Sequence, residues 1–256
     1  MFQKHEQAKK DSPKWMKDNI HYEVIMGSYA YGVHNKDSDK DIYGFCIPPK
    51  EMIFPKDFIR GFDKDVYNFE HFTNCYDDVD FTIFNIVKYF YLCMGINPNI
   101  IDSLFVPNDC IIEMSNIGKM VRDNRYLFLS KLSWKKFKGY AYSNYTRLTK
   151  SHKEGKRKVL IDKYGYDVKE AYHCIRIINE LQQILRDENI DLRMDKERLI
   201  SIRNGEYTLN EIKLLFQKEE KTTESLYEKC KLPDTPRVKE IRNLLKLCLD
   251  EAYSSS

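Results

Sequence analysis

The stretch Gly27-Ser-Tyr-Ala-Tyr-Gly-Val-His-Asn-Lys-Asp-Ser-Asp-Lys-Asp-Ile-Tyr-Gly44 decides the fold of this chain. A short strand candidate, residues 21–26, leads into Gly27, and we expect a short helix to follow it. A strand that turns into a helix exposes backbone N–H groups, and glycine lets a phosphate approach them closely. Ser28 adds a hydroxyl donor. The beginning of the stretch therefore predicts a phosphate-binding turn.

Two aspartates close the same stretch and lead into the next strand candidate, residues 41–47. Asp39 and Asp41 are two residues apart, and side chains at that spacing on a strand point to the same side. Adjacent carboxylates repel each other unless a cation relieves the repulsion. Mg²⁺ prefers a few carboxylates together with water and substrate phosphates. We therefore expect a divalent cation at this pair.

A two-metal site needs a third carboxylate, which we expect to be Asp80. It lies between Val79 and Phe81 in a strand candidate, so its side chain points to the opposite face from theirs. Asp78 has the same parity along the strand and is the alternative.

The stretch also suits a polar surface loop with a β-turn at residues 35–38, because Asn, Asp and Ser are turn-forming residues. That alternative explains the aspartates taken by themselves. It does not explain why a Gly-Ser pair and a further aspartate occur at these spacings, and we therefore favour the phosphate and cation site.

The rest of the pattern mixes strands and helices early and is nearly all helical later. Besides the strands at 21–26, 41–47 and 79–83, the first half is expected to hold helices at residues 3–18 and 84–94. Later helices are expected at about 110–124, 131–152, 168–187, 195–204, 208–228 and 236–252. We expect an α+β (α/β) fold, with a small mixed β-sheet flanked by helices at 1–128 and a mostly α-helical domain at 129–256.

The composition, with 42% hydrophobic and 32% charged residues among 256, is that of a globular protein. There is no apolar run of about 18 residues and no apolar signal core near the N-terminus, so we expect a cytoplasmic protein without a membrane partner. Seven scattered cysteines without a Cys-x-x-Cys pair indicate free thiols.

Charge is unevenly distributed between the two halves. Residues 1–128 hold 15 Lys and Arg against 19 Asp and Glu, and residues 129–256 hold 27 against 20. The net charges are therefore −4 and +7. This asymmetry suits a protein that holds cations in one part and a polyanion in the other.

On the residues quoted above, the chain resembles the DNA polymerase beta superfamily of nucleotidyltransferases, whose signature is Gly-Ser, ten or so residues, and then Asp-x-Asp. The match extends to Ala30, Gly32, Ser38 and Gly44. Further segments are similar to the RNA-repair-associated, RlaP-like group: residues 80–88, Asn97-Pro98, Gly139-Tyr140 and 164–176. Lys40 departs from the pattern, because many superfamily members carry an apolar residue there. Its side chain is expected to point away from the metal.

The resemblance implies transfer of a nucleoside monophosphate from a nucleoside triphosphate to an acceptor hydroxyl, with release of pyrophosphate. Asp39 and Asp41 would contact both Mg²⁺ (or Mn²⁺) ions, and Asp80 would bind one of them and could accept the hydroxyl proton. Gly27 and Ser28 would contact the nucleotide. The implied acceptor is RNA, such as tRNA or other RNA ends.

One predicted helix carries a second group of polar residues. Lys169, His173, Arg176 and Glu180 share a narrow stripe at helical spacing. The opposite face is apolar and is lined by Ala171, Ile175, Ile178 and Leu185. Such a stripe commonly faces water. The family resemblance instead favours contact between Lys169, His173 and Arg176 and the triphosphate, and a surface-like substitution there should change stability little.

A third feature is basic. Residues 131–158 hold ten Lys and Arg against one Glu, interleaved with aromatic residues. Cations track phosphates and aromatic rings stack on bases, so the segment is a possible nucleic-acid surface. It is equally well explained as a solvated helix whose aromatic residues pack in the core. Tyr140, helically spaced with Asn144 and Arg147, could instead contact the nucleotide.

Two other functions compete with this hypothesis. The same architecture could transfer a nucleotide to a protein side chain or a small molecule, as antitoxin-like and antibiotic-modifying enzymes do. The chain could also be a catalytically silent RNA-binding module, although the presence of Asp39, Asp41 and Asp80 argues against that. The sequence leaves open the preferred nucleotide, the acceptor, the number of additions and the oligomeric state.

Overall fold

The computed structural model describes residues 2–36, 38–50, 69–149 and 155–254. Within these residues the chain forms a five-stranded mixed sheet and a series of helices, many of them in its second half. The predicted α+β fold class is confirmed.

The sheet has the strand order β3-β4-β2-β1-β5. Strands β2 and β4 pair in parallel, and the other neighbours are antiparallel. The strands are β1 (Ile20–Ile25), β2 (Lys40–Cys46), β3 (His71–Tyr76), β4 (Val79–Asn85) and β5 (Ile111–Met114). The parallel pair at the centre of the sheet brings two separate aspartate segments side by side.

Strand β5 corrects the predicted helix over residues 110–124. Ile111–Met114 pairs with β1 along the edge of the sheet, and the helix begins only at Asn116. Ser115 separates the two elements, because its side chain caps the helix by accepting a hydrogen bond from the backbone N–H of Gly118.

The helices before residue 129 flank the sheet. They are α1 (Phe2–Lys9), α2 (Gly27–Ala30), α3 (Ile86–Met94), α4 (Pro98–Leu104) and α5 (Asn116–Asp123), with 3₁₀ turns at Lys17–Asn19, Asn108–Cys110 and Arg125–Phe128. Helix α1 packs on β3 and β4. The core beneath it includes Ala8, Ile42 and Phe81, all essentially buried.

The later helices are α6 (Leu132–Arg147), α7 (Lys156–Tyr164), α8 (Val168–Asp187), α9 (Lys196–Arg203), α10 (Leu209–Lys229) and α11 (Val238–Ser254). Helix α8 is the centre of this group and packs against α6, α9 and α10. Asp167 caps its first turn by accepting from the backbone N–H groups of Lys169 and Glu170.

The internal contacts divide the chain into two compact units. The first comprises Met1–Gly95, Asn99–Phe128 and Arg237–Ser256, and the second comprises Ile96–Pro98 and Leu129–Pro236. The predicted boundary after residue 128 falls at one of these breaks. Helix α11 differs from the predicted division, because it packs on α3 and α5, and the Tyr253 hydroxyl donates to the carbonyl of Pro48.

Candidate active site

The predicted aspartates meet where β2 and β4 begin. In the parallel pairing, Asp41 lies directly opposite Asp80. Residues that face each other in this register have side chains on the same side of the sheet. Asp39 immediately precedes β2 and lies two residues before Asp41, the spacing of side chains on one side of a strand. Asp39 and Asp80 are both exposed. Two carboxylates from separate segments therefore share one face, with a third at the strand entrance.

The Gly27 turn lies against one of these carboxylates. Gly27 has a φ of +61°, and a Cβ atom placed there would lie 1.9 Å from Oδ2 of Asp41. The backbone N–H of Met26 also donates to the carbonyl of Asp41 at 2.6 Å. Ser28 follows in α2 and is largely buried. A residue without a side chain is thus required for the turn to approach the aspartate this closely.

Cys75 lies beside the same carboxylates, on β3, the other neighbour of β4. It pairs with Asp80 in the antiparallel ladder between β3 and β4. The pKa of the Cys75 thiol is raised by a hydrogen bond to Asp80 and by the charge of that carboxylate, with a smaller contribution from Asp39. Sequence patterns did not single out this cysteine, because β3 is largely exposed and has no run of apolar residues.

The alternative third carboxylate, Asp78, has a different environment. Its side chain accepts a hydrogen bond from the ammonium group of Lys4 at 2.8 Å, and Lys4 also forms an ion pair with Asp77 at 2.7 Å. The hydrogen bond with Lys4 lowers the pKa of Asp78. This geometry favours Asp80 over Asp78 as the partner of Asp41.

The carboxylates beside the Gly27 turn fit a divalent cation in their chemistry. Carboxylate oxygens are the hard ligands that Mg²⁺ and Mn²⁺ prefer. No group of three or more His, Cys, Asp or Glu side chains in the described part of the chain is arranged to hold a metal ion as it stands. Mg²⁺ is usually held by one or two carboxylates with water and substrate phosphates completing the shell, and the pair Asp41 and Asp80 fits that pattern.

The stripe on α8 is more buried than a helical wheel predicts. Arg176 and Glu180 are 3% and 2% exposed, and they form an ion pair at 2.7 Å. The expectation of a surface-like Arg176 is therefore wrong. Because α8 is packed by helices around most of its circumference, its polar stripe enters the interior as its apolar stripe does.

Lys169 and His173 are the partly buried members of the stripe. Burial lowers the pKa of His173 well below 6.5, and the nearby charges of Arg176, Lys169, Arg157 and Arg203 lower it further. The imidazole is therefore neutral at neutral pH. Arg157 and Arg203, which the helical spacing could not reveal, add two cations from α7 and α9.

Three aromatic residues of the basic segment pack inside the second unit. Phe137 is fully buried, Trp134 stacks on Tyr227 with ring centroids 4.7 Å apart, and Tyr145 stacks on Phe216 at 4.5 Å. Of the two explanations for these residues, the structure therefore supports packing between α6 and α10.

The lysines of α6 differ in their contacts and in their exposure. Lys138 forms ion pairs with Glu220 and Glu224, each at 3.1 Å, whereas Lys135 and Lys136 are exposed. Tyr140 is partly buried on the same helix. Residues 150–154 of the basic segment lie outside the described residues.

No helix among the described residues is both long and apolar enough to cross a membrane. No solved structure matches the chain. The chain is similar to the uncharacterized 38.9 kDa protein in the nrdC-mobD intergenic region of Enterobacteria phage T4, at 25% identity over 117 residues, which are 45% of this chain and 34% of that protein. The match thus spans about a third of the relative's length.

A profile of the family RlaP, described as the RNA repair pathway DNA polymerase beta family, matches residues 2–252. This range includes both the aspartate corner and the helical unit, and it agrees with the resemblance carried by the motif. The chain belongs to the RlaP family.

Proposed function

We propose that this chain is a divalent-metal-dependent nucleotidyltransferase that moves a nucleoside monophosphate from a nucleoside triphosphate to a hydroxyl of RNA and releases pyrophosphate. Membership of a DNA polymerase beta-like family supports nucleotidyl transfer. The observation that carries the proposal is the register of β2 and β4, which sets Asp41 opposite Asp80 beside the Gly27 turn.

The aspartates have different tasks in this proposal. Asp41 and Asp39 would hold Mg²⁺ or Mn²⁺ together with the triphosphate, and Asp80 would add a third carboxylate ligand. When bound, the cation supplies charge neutralisation at the phosphates and makes the acceptor hydroxyl more acidic. Asp80 is exposed, so it can also accept the proton that leaves that hydroxyl.

The Gly27 turn and Ser28 position the phosphates. The close approach of the turn to Asp41 keeps phosphate donors and carboxylates within one small region. Positioning and charge neutralisation are the main requirements of phosphoryl-type transfers, so this proximity is the main contribution of the backbone.

In the second unit, we propose that Lys169 and His173 bind phosphate oxygens. Both side chains are of intermediate exposure. The lowered pKa of His173 keeps its imidazole neutral, and a neutral imidazole can still donate one hydrogen bond. Arg176 supports them from within the helix packing through its pair with Glu180. Tyr140 is a further proposed contact to the nucleotide.

RNA is the proposed acceptor, for two reasons. The family is described by its RNA repair pathway, and residues 129–256 carry an excess of seven positive charges. Cationic surfaces bind the phosphate backbone in a salt-dependent manner. Protein side chains and small molecules remain the competing acceptors, and a silent RNA-binding module remains the competing class.

The experiment is an incubation of the protein with each labelled nucleoside triphosphate, Mg²⁺ or Mn²⁺, and total RNA. We expect label in the RNA and metal-dependent release of pyrophosphate, both abolished by Asp41→Asn. Asp78→Asn is the matched control, because it removes a neighbouring carboxylate that is tied to Lys4. Label in protein or small molecules instead of RNA would refute RNA as the acceptor. RNA binding without pyrophosphate release would refute the proposed transferase activity.

A further inference from the structure

Two aromatic side chains of the motif loop form a stack. The rings of Tyr29 and His34 are nearly parallel, with centroids 4.2 Å apart and an interplanar angle of 7°. Tyr29, in α2, is partly buried, whereas His34, in the loop that follows, is exposed. Because Tyr29 covers one face of the imidazole, the exposed surface of His34 lies on its other face and its edges.

The stack lies close to the aspartate corner. Tyr29 follows Gly27 by two residues, so their Cα atoms are at most about 7 Å apart. Gly27 in turn contacts the carboxylate of Asp41. The ammonium group of Lys40, from between the two aspartates, lies 5.7 Å from the centre of the Tyr29 ring. An exposed ring face and a cation therefore occur together, in the loop and strand segments that border the Gly27 turn.

We propose that the Tyr29–His34 stack is a nucleobase platform, on which His34 receives a base of the substrate while Lys40 contacts an adjacent phosphate. Aromatic side chains stack on every base, because each base has a π-face, and neighbouring cations follow the backbone. This inference rests on the proposed function and deepens it, since it adds a base to the phosphates and the hydroxyl as a recognised group. The base belongs either to the incoming nucleotide or to the end of the RNA acceptor.

The test compares wild type, His34→Ala and His34→Phe with three kinds of probe in the presence of Mg²⁺. The probes are the four ribonucleoside triphosphates, a short single-stranded RNA, and inorganic tripolyphosphate, which has no base. We expect His34→Ala to weaken at least one base-bearing probe about fivefold or more, the range for one base stacked on an aromatic ring. His34→Phe should restore that affinity, and tripolyphosphate should bind all three proteins equally.

The pattern of loss identifies the source of the base. Weaker triphosphate binding assigns the platform to the incoming nucleotide, and weaker RNA binding assigns it to the acceptor. His71→Ala is the control, because His71 is also exposed in the first unit but its ring is tilted by 35° at 5.8 Å from Phe84. Thermal melting of each variant checks that the loop substitution leaves the fold intact.

Several results would overturn the platform. These are unchanged affinity of His34→Ala for every base-bearing probe, equal losses in His34→Phe and His34→Ala, or an equal loss for tripolyphosphate. Transfer activity is measured in parallel, so that the two claims fail separately. If His34→Ala transfers nucleotide at the wild-type rate and its affinities are unchanged, the platform is refuted, whereas the proposed transferase activity is supported. Base binding that depends on His34, in a protein that shows no nucleotidyl transfer, supports the platform and refutes the proposed transferase activity.

Discussion

Replacing Gly27 by alanine tests whether the turn and the Asp41 carboxylate form one unit. The new Cβ would lie 1.9 Å from Oδ2 of Asp41, and real Cβ contacts are not shorter than 3.0 Å, so the two groups must separate by about 1 Å. A displacement of this size in a catalytic site can cost about 100-fold in rate. The positive φ of +61° adds about 1–2 kcal/mol of backbone strain for any residue with a Cβ.

Gly165→Ala separates these two effects. Gly165 has a φ of +78°, and a Cβ there meets no atom within 4 Å. We expect urea unfolding to show a loss of about 1–2 kcal/mol in Gly165→Ala, from strain alone, and a larger loss in Gly27→Ala, which adds the clash with Asp41. A loss of transfer on the order of 100-fold is expected in Gly27→Ala alone of the two. Equal transfer rates in Gly27→Ala and wild type, with Gly27→Ala folded, would refute the reasoning.

Further predictions concern the buried pair, the histidine and the third carboxylate. Arg176→Ala should lower the free energy of unfolding by about 3–5 kcal/mol, because it leaves the buried Glu180 carboxylate without its guanidinium. The double variant Arg176→Met with Glu180→Leu should recover most of this loss in urea unfolding, and a cost below about 0.5 kcal/mol for the single variant would contradict the burial. Because the pKa of His173 is lowered on folding, the unfolded chain takes up a proton first, so stability should fall as pH drops below 6.5. Thermal melting of His173→Gln should show a smaller fall over the same pH range, and an identical fall would argue against it. Asp80→Asn should keep triphosphate affinity and lose turnover, whereas Asp78→Asn should keep both; the reverse result would exchange their roles.

Much of the fold follows from local signals in the sequence. The helix at 168–187 was predicted with the bounds it has, because Asp167 caps it and its apolar residues recur at helical spacing. β1, β2 and β4 were expected from strand-forming residues that end at glycine, at proline or where a helix was predicted to begin. The register of β2 and β4, which pairs Asp41 with Asp80, could not be predicted, because it depends on parallel pairing between segments far apart in sequence.

The elements that were missed depend on their partners. β3 is largely exposed and gains its structure from pairing with β4, and β5 is a short edge strand that borders a helix. α7 was not predicted, and it has almost no separation of polar and apolar faces. These elements have weak local preferences, which tertiary contacts override.

The burial of Arg176 was missed for a related reason. A helical wheel separates a polar stripe from an apolar one, but it does not show how many neighbours surround the helix. Helices α6, α9 and α10 pack around α8, so a stripe that would be solvated on a surface helix becomes part of the interior. Paired charges can be accommodated there, as Arg176 and Glu180 are.

The central claim is that Asp41 and Asp80 together hold the catalytic metal, and Mn²⁺ binding in the presence of a non-hydrolysable nucleoside triphosphate analogue tests it most directly. Electron paramagnetic resonance measures the bound ion without requiring turnover. We predict Mn²⁺ binding in wild type and in Asp78→Asn, and its loss in the folded double variant Asp41→Asn with Asp80→Asn. Mn²⁺ binding by that double variant with wild-type affinity would contradict the account.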